Sequence, residues 1–184
     1  MSILFVQTVG QEIRIIDHYT NTGYGLEHYS EILKQKKYKY KEHWFPHDIR
    51  HRELATGTSR IETAIRFLGN NCKIVPINTI ESGINATRLI FKNLWIDEKL
   101  DSFLNNISLY QYEMDEKLGM LKKQPKHDFT SHDADCLRYL STVYQHIIKT
   151  PKIETIQEER HEMDILIFGD DDEEEDEQTL DNAF

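Results

Sequence analysis

The chain opens with "ILFVQTVGQEIRIIDHY", two runs rich in Ile, Val and Phe on either side of a short turn at Gly10. Ile13 and Ile15, with Asp17, fall on one face of the second run, and Arg14 and Ile16 fall on the other. Alternation of this kind predicts a β-hairpin. "NTGYG" breaks the pattern, and in "LEHYSEILKQKK" the residues Leu26, Tyr29, Ile32 and Leu33 recur at helical spacing. A short apolar run, "EHWFPHD", predicts a buried strand closed by Pro46. "SRIETAIRFLG" carries a complete set of helix signals: Ser59 at the N-cap, Glu62 three residues on, and Gly69 at the exit.

Further along, "CKIVP" predicts a strand and "IESGINATRLIFKNL" a helix. "DEKLDSFLNNISLYQYEMDEKLG" has a largely helical pattern, with no clear end before Gly119, and Lys122 to Lys126 form a polar connector. From Ser131 to about Lys149, Leu137, Leu140, Tyr144 and Ile147 lie three or four apart, predicting a helix that Pro151 ends. No internal repeat is present. A hairpin followed by alternating strands and helices predicts an α/β domain over residues 1–150, a mixed sheet flanked by helices. Residues 151–184 are expected to be a flexible tail: one apolar patch, "MDILIFG", then an acid run too polar to fold alone.

Composition refines this picture at three points. A length of 184 residues, 39% of them hydrophobic, supports one domain with a real core. Two cysteines, Cys72 and Cys136, do not make a disulfide framework and read as buried thiols in a reducing compartment. No apolar run is long enough to span a bilayer, and the N-terminal stretch has neither a basic leader nor a cleavage site, so the expected location is the cytoplasm. The formal charge of −10 is concentrated in the eight consecutive acids Asp170 to Glu177, so the rest of the chain carries only −2. A nearly balanced body with Lys34, Lys36, Lys37, Lys39 and Lys41 close together leaves a nucleic-acid partner open.

Candidate chemistry lies in two places. Asp48 follows the "HWFP" strand, so its carboxylate should emerge at a strand end, where open α/β sheets place ligands. Asp135 lies one turn into the last helix, with His127, Asp128, His132 and Asp133 close by. Carboxylates gathered from separate elements suit hard cations such as Mg2+ or Mn2+. Two such ions about 3.5–4 Å apart can activate water and stabilise the leaving oxygen of a phosphodiester. The structural alternatives stand beside this. Asp133, near an N-cap at Ser131, would gain about 0.3–1 kcal/mol from the helix dipole, and Asp48 could simply begin a turn. His43, His47 and His51 are loosely spaced and lack a cysteine pair, which argues against zinc.

Three stretches, "WFPHDIRHRELATGTSRIETAIRFLG", "IVPINTIESGINATRLIF" and "HDFTSHDADCLRYL", resemble in order the C-terminal nuclease domain of bacteriophage terminase large subunits. The resemblance runs from about Ile3 to Tyr144. It implies a ribonuclease H-like fold and a two-metal endonuclease that cuts double-stranded DNA during genome packaging in the bacterial host. Asp48 and Asp135 match the family's catalytic metal ligands. Asp128, His132, Asp133 and Arg138 share the second motif and are implied in support of those ligands or in contact with DNA, Asp133 as an auxiliary at most. Thr56, Gly57, Thr58 and Arg60 match a family loop that can approach a phosphate, although a loop ending in a helix cap serves equally well.

Two departures qualify the resemblance. The family has a further essential Asp on a central strand upstream of the hairpin, and no acid here precedes Glu12. The expectation is therefore a domain lacking its first strand, with exposed sheet edges and impaired activity as an isolated chain. There is also no G-x-x-x-x-G-K-[ST] motif, so no nucleotide is expected. The missing portion and a portal protein are implied partners, the latter through the acidic tail. That tail is otherwise a solvated run, or a competitor with DNA for a basic groove. The alternative function is a non-catalytic interaction module that keeps the same scaffold.

Overall fold

The computed structural model describes residues 1–53, 57–115, 119–148 and 162–169, the last of these for its backbone alone. The predicted hairpin is present as β1 (Ser2–Val9) and β2 (Glu12–Thr20), joined through Gly10 at φ 62°. β1 pairs with β2 antiparallel, and a register shift between Phe5 and Val6 interrupts the ladder. After α1 (Leu26–Gln35), β3 (Lys39–Phe45) runs to Pro46, where a single 3-10 turn, His47–Arg50, begins. Pro46 has no N–H to continue the ladder, and the turn closes through His51 N–H donating to the Asp48 carbonyl at 2.8 Å.

Ser59 caps α2 (Arg60–Leu68) with the full reciprocal box: its hydroxyl accepts from Glu62 N–H, and the Glu62 carboxylate accepts from Ser59 N–H. β4 (Cys72–Ile74), α3 (Ile80–Ile90), β5 (Leu94–Ile96) and α4 (Asp101–Leu109) follow. The helical expectation over 97–119 holds only as far as Leu109. Beyond it, β6 (Tyr112–Asp115) and β7 (Met120–Pro125) form a separate antiparallel hairpin, so the Lys122 to Lys126 stretch is mostly strand. α5 (Ser131–Ile148) is the long helix predicted from its apolar spacing.

β8 (Glu162–Gly169) completes the main sheet, whose order is β4-β3-β8-β1-β2-β5. β8 is antiparallel to β1 and parallel to β3, which is in turn parallel to β4; β2 and β5 also run parallel. Residues 162–169 are thus a central strand, where a tail had been expected, and the boundary at residue 150 does not hold for them. The physical reason is that "MDILIFG", apolar and too short to fold alone, meets two strands whose inner edges need hydrogen-bond partners. Nor does the sheet show the open central edge expected of a domain without its first strand, because β1 is paired on both sides. Its outer edges are β4 and β5, each of three residues, a length that discourages edge-to-edge association.

β1 explains how the layers hold together. Ile3, Leu4, Phe5 and Val6 are all fully buried, because both sheet faces are covered. Leu4 and Val6 join Ile13, Ile15, Phe103, Leu137, Leu140 and Val143 beneath α3, α4 and α5. Ile3 and Phe5 join Tyr29, Leu33, Phe45 and Ala64 beneath α1 and α2. At about 1.5–3 kcal/mol per large apolar side chain, this strand is a major source of cohesion between the layers. Cys136 is buried as expected, whereas Cys72 is only half-buried. Among the described residues, no helix is long and apolar enough to cross a membrane.

Candidate functional site

β3 and β8 run parallel, so the chain leaves both at one end of the sheet. The start of β1 lies at that same end, Ser2 pairing with Gly169. α5 begins across it: Ser2 Oγ donates to Asp133 Oδ1 at 2.5 Å, and Cys136 Sγ donates to the Ser2 carbonyl at 3.2 Å. This end is where an open α/β sheet offers a crevice. A cleft of about 250 Å3 opens there, lined by His47, Asp48, Pro76, Asn78, Ile80, Arg138, Tyr139 and Thr142. Its walls are therefore the turn after β3, the β4–α3 connection and one side of α5.

Asp48 is the unusual member. Its Oδ1 is buried and has no hydrogen-bond partner among the described residues. An unpaired buried acceptor costs about 1–3 kcal/mol, and more when charged, so a carboxylate kept in this state calls for an explanation. Asp135 meets the cleft through Arg138, whose Nη2 donates to its Oδ1 at 2.5 Å; both side chains are 12% exposed. Burial alone would lower the Arg138 pKa, but the Asp135 charge and hydrogen bond outweigh it and hold the guanidinium protonated. Tyr110, at the end of α4, is pushed up to about 12, by burial first and then by Asp135.

The remaining candidates have other work. Asp133 is 1% exposed and faces the core, where it accepts from Ser2, from Asn106 Nδ2 at 2.7 Å, and contacts His18 Nε2 at 2.8 Å. Burial pushes its carboxyl up, but His18, Ser2 and Asn106 together bring it below the ordinary range. Asp133 therefore ties α5 to the hairpin and α4. Asp128 closes the turn before α5: its Oδ1 accepts from Thr130 N–H at 3.0 Å and Thr130 Oγ1 at 2.6 Å, with Lys126 Nζ 3.2 Å from Oδ2. Burial raises its pKa, and these bonds outweigh that rise. His132 lies edge-on to His127, with centroids 6.3 Å apart. None of these three lines the cleft.

Thr58 and Arg60 are likewise outside it. The Thr58 carbonyl accepts from Glu53 N–H, Arg60 is exposed on the first turn of α2, and Thr56 is outside the described residues. His43 is 4% exposed, and burial lowers its pKa to about 4, consistent with a neutral core histidine.

A hard cation is compatible with the orphaned Asp48 oxygen, but the rest of the donor set is thin. Among the described residues, no three His, Cys, Asp or Glu side chains gather as a metal-binding group. Sequence reasoning missed Asn78, Tyr139, Thr142 and Gly83, a buried glycine behind Arg138. The "RY" of the second motif signalled Tyr139, while nothing in the sequence singles out Gly83. No family model matches the chain, and neither a curated protein nor a solved structure matches it.

Proposed function

We propose that this chain is a ribonuclease H-like, divalent-metal-dependent DNA endonuclease domain of the bacteriophage terminase type, with Asp48 and Asp135 as its metal-holding carboxylates. The observation that carries the reading is the buried, unpartnered Oδ1 of Asp48 on a cleft at the carboxyl end of β3. Function supplies a reason for such an atom where folding does not. The sheet adds support: the resemblance calls for a central strand beside the hairpin, and β8 fills that slot from the other end of the chain. β8 removes the open sheet as a cause of impaired activity, while the absent family Asp still leaves the site one carboxylate short. In sequence, Asp170 follows Gly169 directly, so an acid also succeeds the central strand.

In this reading Asp48 and Asp135 would hold the metal, and Arg138 balances the charge of Asp135. Bound Mg2+ or Mn2+ would activate water and stabilise the departing oxygen. The protein's share is to fix the carboxylates on rigid elements. α5 is pinned at its first turn by the Asp133 network, and Asp48 is set in a short turn closed by its own carbonyl. Double-stranded DNA is the substrate, and the setting is packaging at a portal protein in the bacterial cytoplasm.

The test is nicking of a supercoiled plasmid in Mn2+ by the full chain and its Asp48→Asn, Asp135→Asn and Asp170→Asn variants. The reading expects cleavage by the wild type and loss in the first two. Equal cleavage by wild type and Asp48→Asn would refute it. The alternative, a non-catalytic interaction module, draws on the Arg138 contact that already occupies Asp135 Oδ1. It expects no metal-dependent cleavage from any of the four proteins.

A further inference from the structure

Arg138 is held in an unusual way. Its stem crosses α3 at Gly83, where an added Cβ would lie 2.3 Å from Arg138 Cγ and 2.6 Å from Cδ. No other residue type fits there without moving the arginine, and glycine inside a helix costs roughly 0.5–1 kcal/mol relative to alanine. The guanidinium lies 5.1 Å from the Tyr139 ring centroid and binds Asp135 through Nη2. Its Nε, although buried, has no partner among the described residues. Thus two residues that line the cleft each hold a buried polar atom with no partner among the described residues, Arg138 a donor and Asp48 an acceptor.

We propose that Arg138 Nε is the cleft's phosphate-recognition donor, and that Gly83 is the positioning residue that sets it there. The ligand class is a phosphodiester of the DNA backbone. Asp48 and Asp135 outnumber Arg138 in formal charge, so a bare anion is not drawn into the cleft. A divalent ion held at Asp48 would reverse that balance, and the Nε–H would then be the protein's own donor to an incoming phosphate oxygen. An arginine suits this task because its donors keep a fixed planar geometry, whereas a lysine offers only a point charge. The inference rests on the metal-dependent reading of Asp48, and it makes the guanidinium both the counter-charge of Asp135 and a substrate contact.

The test is fluorescence anisotropy of a labelled DNA duplex with the full chain, in Ca2+ and in EDTA, for wild type, Arg138→Lys and Gly83→Ala. Ca2+ is chosen for its loose oxygen coordination, which supports binding. Lysine keeps a charge for Asp135 but has no Nε–H, and alanine displaces the arginine without removing it. The expected result is a Ca2+-dependent gain in wild-type affinity that falls about tenfold in each variant. The quantity read is the ratio of affinities in Ca2+ and in EDTA, which should fall in both variants, a change that a uniform loss of structure would not produce. If Gly83→Ala does not fold by circular dichroism, Arg138→Lys decides alone. Wild-type-like Ca2+-dependent binding by Arg138→Lys overturns the proposal, as does a wild type whose binding ignores Ca2+. The nuclease reading can fail separately: Arg138-dependent binding by a protein that never nicks plasmid leaves the phosphate seat standing.

Discussion

Asp48→Asn should stabilise the protein in the absence of metal while abolishing cleavage. The wild-type carboxylate keeps Oδ1 buried without a partner among the described residues. An unsatisfied buried polar group costs about 1–3 kcal/mol, and more if it is charged. An amide of the same shape removes the charge but leaves its own polar atoms in the same place, so only part of the penalty is recovered. The expected gain is about 1 kcal/mol, equivalent to about 2–4 °C in Tm for a domain of this size. Thermal melts followed by circular dichroism at pH 7 in EDTA measure it. Adding Mn2+ should reverse the order, because a ligand bound at 100 times its Kd stabilises the native state by about 2.7 kcal/mol, and the amide variant would forfeit most of that. A variant less stable than wild type in EDTA would refute the reasoning, since it would mean that the carboxylate is engaged in holding the fold.

Three further outcomes follow from the packing. Asp133→Ala should cost about 3–5 kcal/mol in urea unfolding at pH 7, because it leaves His18, Ser2 and Asn106 facing an empty buried site. Its folded pKa is depressed, so the charge-linked part of this contribution is present above the ordinary carboxylate range and fades as pH falls through the folded value; the gap between wild type and variant should narrow in acid. His43 is protonated in the unfolded chain below about 6.5 but resists protonation in the fold until about 4, so stability should decline between those values by up to about 3 kcal/mol. His43→Leu should flatten that slope in urea midpoints measured at pH 7 and pH 5. Ser59→Ala should lower stability by about 1 kcal/mol through loss of the capping box, while plasmid cleavage below the melting range stays at the wild-type rate.

Elements specified by local chemistry were legible in the sequence, and those specified by distant partners were not. The Ser59–Glu62 box, the Pro46 strand end and the apolar stripe of α5 each depend on residues within a turn or two, and the structure has them where the pattern puts them. "YQYEMDEKLGMLKKQP" forms a hairpin although its polar, Glu- and Lys-rich composition favours helix. Its turn passes Gly119 at φ 62°, a conformation that breaks any helix. β8 was missed for a different reason: its strand state depends on β1 and β3, whose edges it pairs, over 100 residues earlier.

The site divides in the same way. The place of Asp48, just past the end of β3, was legible because a strand followed by Pro fixes where the next acid emerges. Asp133 looked like a dipole contribution to its own helix, yet its partners Ser2 and His18 are 131 and 115 residues away. Gly83 carried no signal within α3, since the arginine stem that requires it is supplied by α5.

The most direct test of the central claim is anomalous scattering from Mn2+ in crystals of the full chain. The account predicts a peak at coordinating distance, roughly 2.0–2.6 Å, from Asp48 Oδ1, absent in Asp48→Asn. An ordered cleft with no peak beside Asp48, or the same peak in the variant, would contradict it.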